Sequence, residues 1–139
     1  MDDKWYYIPR IIVIVLFLLW LFTKKVDAYE YTTTDIVLIG KLIQHEAAYE
    51  SELGQRLVID TVLNRVESEK FPNTVEEVLS QPGQYCNPSE YPPKRVYRLV
   101  AEEMRWRTNP DVLWYRTKRY HSYGNPIIKE GAHYFSGGI

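Results

Sequence analysis

Residues 44–66 read QHEAAYESELGQRLVIDTVLNRV, and within them one apolar-periodic segment stops and another begins. Just before this stretch, apolar residues recur in steps of three and four, as on the buried face of a helix. These residues are Ile36, Ile39, Leu42 and Ile43. Because the next step lands on Glu46, this glutamate is predicted to lie at the buried edge of its helix, close to the end.

A carboxyl group at such a position suits acid catalysis. Partial burial disfavours the charged form and raises the pKa, which is what a general acid at neutral pH requires. A solvated acidic helix end is the simpler interpretation of Glu46, because most glutamates lie in water. Both interpretations remain open from the periodicity alone.

Four further segments follow in a fixed order. The pattern Glu-Ala-x-x-Glu-x-x-x-Gly-Gln at 46–55 precedes Leu-Asn-Arg-Val at 63–66, Phe-Pro-Asn-Thr-Val at 71–75, Val-Leu-Ser-Gln-Pro-Gly-Gln-Tyr at 78–85 and Gly-Ala-His-Tyr-Phe at 131–135. In order and spacing they resemble the spore cortex-lytic cell wall hydrolases, the germination-type lytic transglycosylases. The resemblance covers about residues 36 to 135.

This resemblance implies a small lysozyme-like, lytic-transglycosylase-like domain that cleaves peptidoglycan between N-acetylmuramic acid and N-acetylglucosamine. It places the catalytic acid at Glu46. In the implied chemistry one glutamate first protonates the glycosidic oxygen and then takes a proton from the muramoyl C6 hydroxyl. The product is a 1,6-anhydromuramic end, and neither water nor a cofactor takes part.

Glu50 is the candidate second carboxylate. One helical turn separates it from Glu46 if the helix continues, and like-charge repulsion would then raise the Glu46 pKa. A structural hydrogen-bond acceptor beside the second helix is an equal alternative. The sequence departs from the family pattern here, since Ala48-Tyr49 replaces the usual Arg-Gly and Ser51 the usual Pro.

Several polar or aromatic residues near the family-like segments are candidate sugar contacts, with packing or capping as the simpler role for each. They are Gln55, Thr74, Gln84, Tyr85, Tyr115 and Tyr134.

Composition excludes several other classes of function. The chain has 17 basic and 18 acidic residues, whereas nucleic-acid binding requires a strongly basic face. The single cysteine, Cys86, permits no internal disulfide and is interpreted as a spectator thiol. His45-Glu46 lacks a second histidine four residues on, so we predict neither a metal nor another cofactor.

The N-terminus is predicted to target the domain for export. Residues 1–28 are interpreted as a signal peptide or signal anchor, with a transmembrane helix at about 5–22. Residues 29–35 are expected to be a linker and 36–139 the catalytic domain. We therefore expect an extracytoplasmic monomer, membrane-anchored or secreted to the cell wall, whose partners are the membrane and peptidoglycan glycan strands.

The predicted fold class is mainly α, in an α+β arrangement, behind a hydrophobic targeting helix. Short aromatic runs near the C-terminus are predicted to be extended. The four helices expected in the domain are one capped by Thr34 or Asp35 and ending near Ala48, one capped by Ser51, one capped by Thr74 and ending at Ser80, and one from Lys94 to about Arg107.

Two alternatives to a lytic transglycosylase remain. One is an N-acetylmuramoyl-alanine amidase, which would normally need a metal whose ligand spacing the sequence lacks. The other is a non-catalytic, membrane-anchored wall-binding protein that keeps the fold. The altered residues after Glu46 are the observation that favours it.

Overall fold

A computed structural model describes residues 12–15, 28–83 and 90–138. Among the described residues after position 27, four helices precede a three-stranded sheet, which confirms a helix-rich α+β fold. The elements are α1 (Thr33–Glu46), α2 (Glu52–Glu67), α3 (Val75–Leu79), α4 (Lys94–Arg105), β1 (Val112–Thr117), β2 (Asn125–Glu130) and β3 (His133–Gly137).

The predicted targeting helix lies mostly outside the described residues. Within it, only residues 12–15 are described, and they are helical and exposed. Across the described ranges, no helix is both long and apolar enough to cross a bilayer.

Helix α2 is the centre of the domain. It packs against α1, α3, α4 and β1, and its residues from Leu57 to Val66 are buried on every side. A helix surrounded in this way carries apolar side chains around most of its circumference. Its buried polar residues Asp60, Asn64 and Arg65 form hydrogen bonds to the backbone of residues 109–113. The apolar run that follows the quoted glutamates therefore forms the core helix, and the other elements are arranged around it.

The helix ends differ from prediction in detail. The N-cap of α1 is Thr32, not Thr34 or Asp35, because Asp35 stands at the third helical position. There its carboxylate accepts from the Thr32 backbone N–H at 2.7 Å while its own N–H donates to the Thr32 hydroxyl. The expected linker thus contains the start of α1, and its Tyr29 hydroxyl also donates to Asp35.

The other caps follow the sequence more closely. Ser51 caps α2 by accepting from the Gly54 N–H, and Thr74 caps α3 by accepting from the Glu77 N–H. Both predictions are confirmed. Helix α4 ends at Arg105, two residues before the predicted end.

The C-terminal segments form an antiparallel sheet in the order β1-β3-β2. Strand β3 is central and turns His133 and Phe135 toward the core, while Tyr134 between them lies on the opposite, outer face. Strand β2 was not predicted, because its Asn125-Pro126 start resembles a loop. An edge strand tolerates proline, since one side of its backbone needs no partner.

A buried carboxyl pair joins α2 to α4. Glu103 is 1% exposed and accepts from Arg56 at 2.6 Å and from the Thr108 N–H at 2.7 Å. Burial alone would raise the Glu103 pKa, but hydrogen bonds from Asp60, Arg56 and Thr108 outweigh it and lower that pKa. Burial, and then the contact with Glu103, raises the pKa of Asp60 to about 8.

This pair predicts a pH-dependent stability. Between the ordinary aspartate pKa of about 4 and pH 8, the folded chain holds a proton at Asp60 that the unfolded chain has released. The free energy of unfolding should therefore fall as the pH rises across that window, by at most about 1.4 kcal/mol per pH unit.

Thermal unfolding between pH 5 and 9 tests this expectation. Asp60→Asn should flatten the profile, because the amide is neutral throughout, and the exposed Asp111→Asn serves as the control. An unchanged slope in Asp60→Asn would mean that Asp60 is ionised in the fold.

Candidate active site

Glu46 is the last residue of α1 and is half-buried, which confirms its predicted place at the buried edge of the helix end. Ile39, Leu42 and Ile43 of the same helix lie in the core. The following residue, Ala47, is 1% exposed, and its N–H donates to Ile43 O at 2.9 Å. The backbone that carries the Glu46 carboxyl is therefore fixed by packing on both sides.

Glu50 does not continue that helix. The chain turns at residues 47–50, where the Glu50 N–H donates to Ala47 O at 3.1 Å. The premise that Glu46 and Glu50 stand one helical turn apart is therefore wrong. The reason is the Ser51 cap, which starts a new helix and takes the backbone in another direction.

We call residues 47–50 the acid turn. Gln55 of α2 supports this turn through hydrogen bonds of its side chain. Gln55 is 1% exposed, its amide donates to Ala47 O at 2.9 Å, and its carbonyl accepts from Arg95 at 2.8 Å. Both the nitrogen and the oxygen of the Gln55 side-chain amide are therefore hydrogen-bonded within the protein. The structure thus places this predicted sugar contact inside the protein, where it holds the acid turn.

The carboxylate of Glu50 reaches the turn between β2 and β3. Its side chain is 15% exposed, and both oxygens accept from the Ala132 N–H at 3.3 Å. His133 Nδ1 lies 3.7 Å from Glu50 Oε1. Glu50 therefore joins the acid turn to the sheet across 82 residues of sequence.

A second bond and a glycine complete this contact. Ser51 donates to Glu130 Oε1 at 2.6 Å. Gly131 adopts φ +54°, and a Cβ there would lie 1.7 Å from Glu50 Oε2. Only glycine fits both the left-handed backbone and the approach of the carboxylate.

Not all of the other predicted sugar-contact residues lie near the acid turn. The Tyr115 ring packs edge-on against His133, with ring centroids 5.0 Å apart. His133 therefore lies between Tyr115 and Glu50. Tyr134 is on the outer face of the sheet, and Thr74 caps α3. Gln84 and Tyr85 lie outside the described residues.

Sequence reasoning missed three residues that surround the acid turn: Arg95, Glu130 and His133. Their contacts span 40 to 83 positions, so no local pattern indicates them. His133 does fall in the Gly-Ala-His-Tyr-Phe segment, which was the one available signal. Tyr49 was noted only as a departure from the family, yet its side chain in the acid turn is fully exposed.

No metal-binding group occurs in the part of the chain that the structure describes, where no three His, Cys, Asp or Glu residues converge. A cavity of about 280 Å³ lies at the far end of α2, lined by Asn64, Glu67 and Asp111 among others. It includes neither Glu46 nor Glu50.

Comparisons with known proteins agree with this architecture. Residues 49–136 match the family model described as Cell Wall Hydrolase. The match begins three residues after Glu46.

Curated relatives carry the name spore cortex-lytic enzyme. The chain is 34% identical to the Bacillus cereus protein over 94 residues, covering 61% of this chain and 35% of that protein. It is 30% identical to the Bacillus subtilis (strain 168) protein over 123 residues, covering 76% of this chain and 38% of that protein. The chain thus spans little more than a third of the length of these relatives.

Two solved structures share the fold. The catalytic domain of the Bacillus cereus SleB protein matches with a TM-score of 0.66 at 25% identity, covering 77% of this chain and 92% of that one. The catalytic domain of the germination-specific lytic transglycosylase SleB from Bacillus anthracis matches with a TM-score of 0.67 at 26% identity, covering 76% and 96%.

Proposed function

The chain belongs to the cell wall hydrolase family, and on that premise we propose that it is a peptidoglycan lytic transglycosylase whose catalytic acid is Glu46. The observation that carries the proposal is the position of this carboxyl. It is half-buried at the packed end of α1, beside a turn that Gln55 and the β2–β3 turn hold in place. A general acid needs such fixed placement as much as a suitable pKa.

In the proposed reaction Glu46 acts twice. Its proton passes to the glycosidic oxygen between N-acetylmuramic acid and N-acetylglucosamine, and the bond from that oxygen to the muramoyl C1 breaks with its electrons going to the oxygen. The Glu46 carboxylate then takes the proton of the muramoyl C6 hydroxyl, whose oxygen bonds to C1. The 1,6-anhydro ring closes, and the glutamate regains its proton for the next cycle.

Glu50 is assigned a positioning role in this scheme. Its two oxygens both accept from Ala132, so the carboxylate is engaged with the protein. The sequence left two roles open for Glu50, and these bonds support the role of a structural hydrogen-bond acceptor. A nucleophile would need a carboxylate free to bond the sugar carbon.

Aromatic side chains are the best candidates for sugar contacts, because sugar rings pack against aromatic faces. Tyr115 lies against His133 near the acid turn, and Tyr49 is exposed within that turn. Gln84 and Tyr85 remain sequence-based proposals. We further propose that residues 1–28 direct the domain out of the cytoplasm, so that 36–139 act on the cell wall.

A renaturing gel that contains purified peptidoglycan tests the proposal against its alternatives. The wild-type chain should clear the gel equally with and without a chelator, because no step uses a metal. Clearing that a chelator abolishes would indicate a metal-dependent amidase. A folded protein that binds the peptidoglycan without clearing it would indicate a wall-binding protein that lacks activity.

A further inference from the structure

The sheet carries an excess of positive charge that the rest of the chain lacks. From the start of β1 to the end of β3 there are four basic residues, Arg116, Lys118, Arg119 and Lys129, and one acidic residue, Glu130. The whole chain has 17 basic and 18 acidic residues. Glu130 bonds to Ser51 on the helix side of the sheet, so it does not neutralise the outer face.

Two of these cations flank an aromatic ring on that outer face. In the sheet register Tyr134 pairs with Arg116 on β1 and with Lys129 on β2. Directly paired residues share a face, so the three side chains form one row. Lys129 Nζ lies 5.5 Å from the centre of the Tyr134 ring, and the Tyr120 ring meets that ring edge-on at 5.1 Å.

Several cations in the helical part have carboxylate partners, which the sheet cations lack among the described residues. Arg56, Arg98 and Arg107 in the helical part each pair with a glutamate. Within the described residues, none of the four sheet cations lies within salt-bridge distance of a carboxylate. Among the described residues, the hydrogen-bond acceptor of Lys129 is Gly131 O, at 3.0 Å. Their charge is therefore available to an external anion.

This face also adjoins the acid turn. Tyr134 follows His133, which faces Glu50, and Lys129 bonds the same Gly131 that lies against Glu50. The outer face and the acid turn therefore meet at Gly131, in the β2–β3 turn.

We propose that Arg116, Tyr120, Lys129 and Tyr134, with Lys118 and Arg119 in the short segment between β1 and Tyr120, form a cationic sheet face that binds the peptide stems of peptidoglycan. Peptide stems carry carboxylates and hang from muramic acid, the sugar that the proposed reaction opens. Lysine and arginine bind such carboxylates by charge-assisted hydrogen bonds, and the tyrosine rings supply apolar contact. This inference rests on the proposed function and adds the second part of the substrate.

Sedimentation of the full-length chain with purified peptidoglycan tests it. All proteins carry Glu46→Gln so that strands stay intact. Arg116→Gln/Lys129→Gln should bind roughly tenfold more weakly, and Lys70→Gln/Arg105→Gln, which removes two exposed cations elsewhere, should bind normally. Peptidoglycan stripped of its stems by an amidase should bind the parent as weakly as intact peptidoglycan binds the sheet variant.

Three results would overturn the proposal: equal binding by the sheet variant, equal binding to stripped peptidoglycan, or the same loss in the control. Preferential binding to vesicles of anionic lipid, lost in the sheet variant while stem-dependent binding is absent, would assign the face to membranes instead. Arg116 is half-buried, so thermal unfolding is recorded for each variant. The double variant Lys118→Gln/Lys129→Gln changes only exposed residues and repeats the test with Arg116 intact.

Failure here is separable from failure of the catalytic proposal. Binding is measured without cleavage, so stem-dependent binding by a chain that never clears peptidoglycan would refute only the lytic activity. Cleavage combined with stem-independent binding would refute only the cationic sheet face.

Discussion

Glu46→Gln is expected to reduce peptidoglycan cleavage by about a thousandfold to ten-thousandfold, while binding to the glycan persists. The amide keeps the size and hydrogen bonding of the side chain but has no proton to transfer. General acid–base catalysis contributes about a hundredfold to ten-thousandfold, and a residue that acts in two successive steps belongs at the upper end. Initial rates of release of soluble fragments measure the effect.

A matched control is Glu52→Gln, which removes another carboxyl from the same stretch. Glu52 is half-exposed and bonds Arg56 at 2.8 Å, so its loss should leave the rate within about twofold. Near-normal turnover by Glu46→Gln would show that the acid has been misassigned. An equal loss in both variants would indicate general damage to the fold.

Gly131→Ala is expected to lower the cleavage rate about tenfold to a hundredfold. The new Cβ would occupy the space of Glu50 Oε2, so the Glu50 carboxylate must leave the β2–β3 turn and the acid turn loses its link to the sheet. A misplacement of about 1 Å in a catalytic group can cost a hundredfold in rate. The left-handed backbone should also cost about 1–2 kcal/mol of stability.

Gly138→Ala separates these two effects. Gly138 has a similar φ of +50°, but a Cβ there would meet nothing within 4 Å. It should therefore share the loss of stability and keep the cleavage rate. Equal rates in the two alanine variants would show that the Glu50 link does not position Glu46.

Local sequence predicted those features that depend on local interactions. The three- and four-residue steps before Glu46 placed it at the end of α1, and the Ser51 and Thr74 caps followed from their hydroxyls. The apolar steps after Ser51 predicted a helix, although not one that is buried on every side. Each of these outcomes is set within about one or two helical turns.

Tertiary contacts determined what the sequence could not. Glu50 was expected to neighbour Glu46 if the helix continued, with a structural hydrogen-bond acceptor as the alternative. Its partners are Ala132 and His133, more than 80 positions away. Gln55 was a candidate sugar contact with packing as its simpler role, and packing of α2 against the acid turn buries it. Tyr134 and His133 lie on opposite faces of the sheet, and the residues that share each face are known only from the register of the strands.

Mass spectrometry of the fragments that the wild-type chain releases from peptidoglycan shows whether Glu46 acts as both acid and base. If Glu46 serves as acid and then as base, every newly formed muramic end should be the 1,6-anhydro form. This form lies 18 mass units below the reducing sugar because it lacks one water. Newly formed reducing ends would contradict the account, because they require water to attack C1 and a second group, such as Glu50, to activate it.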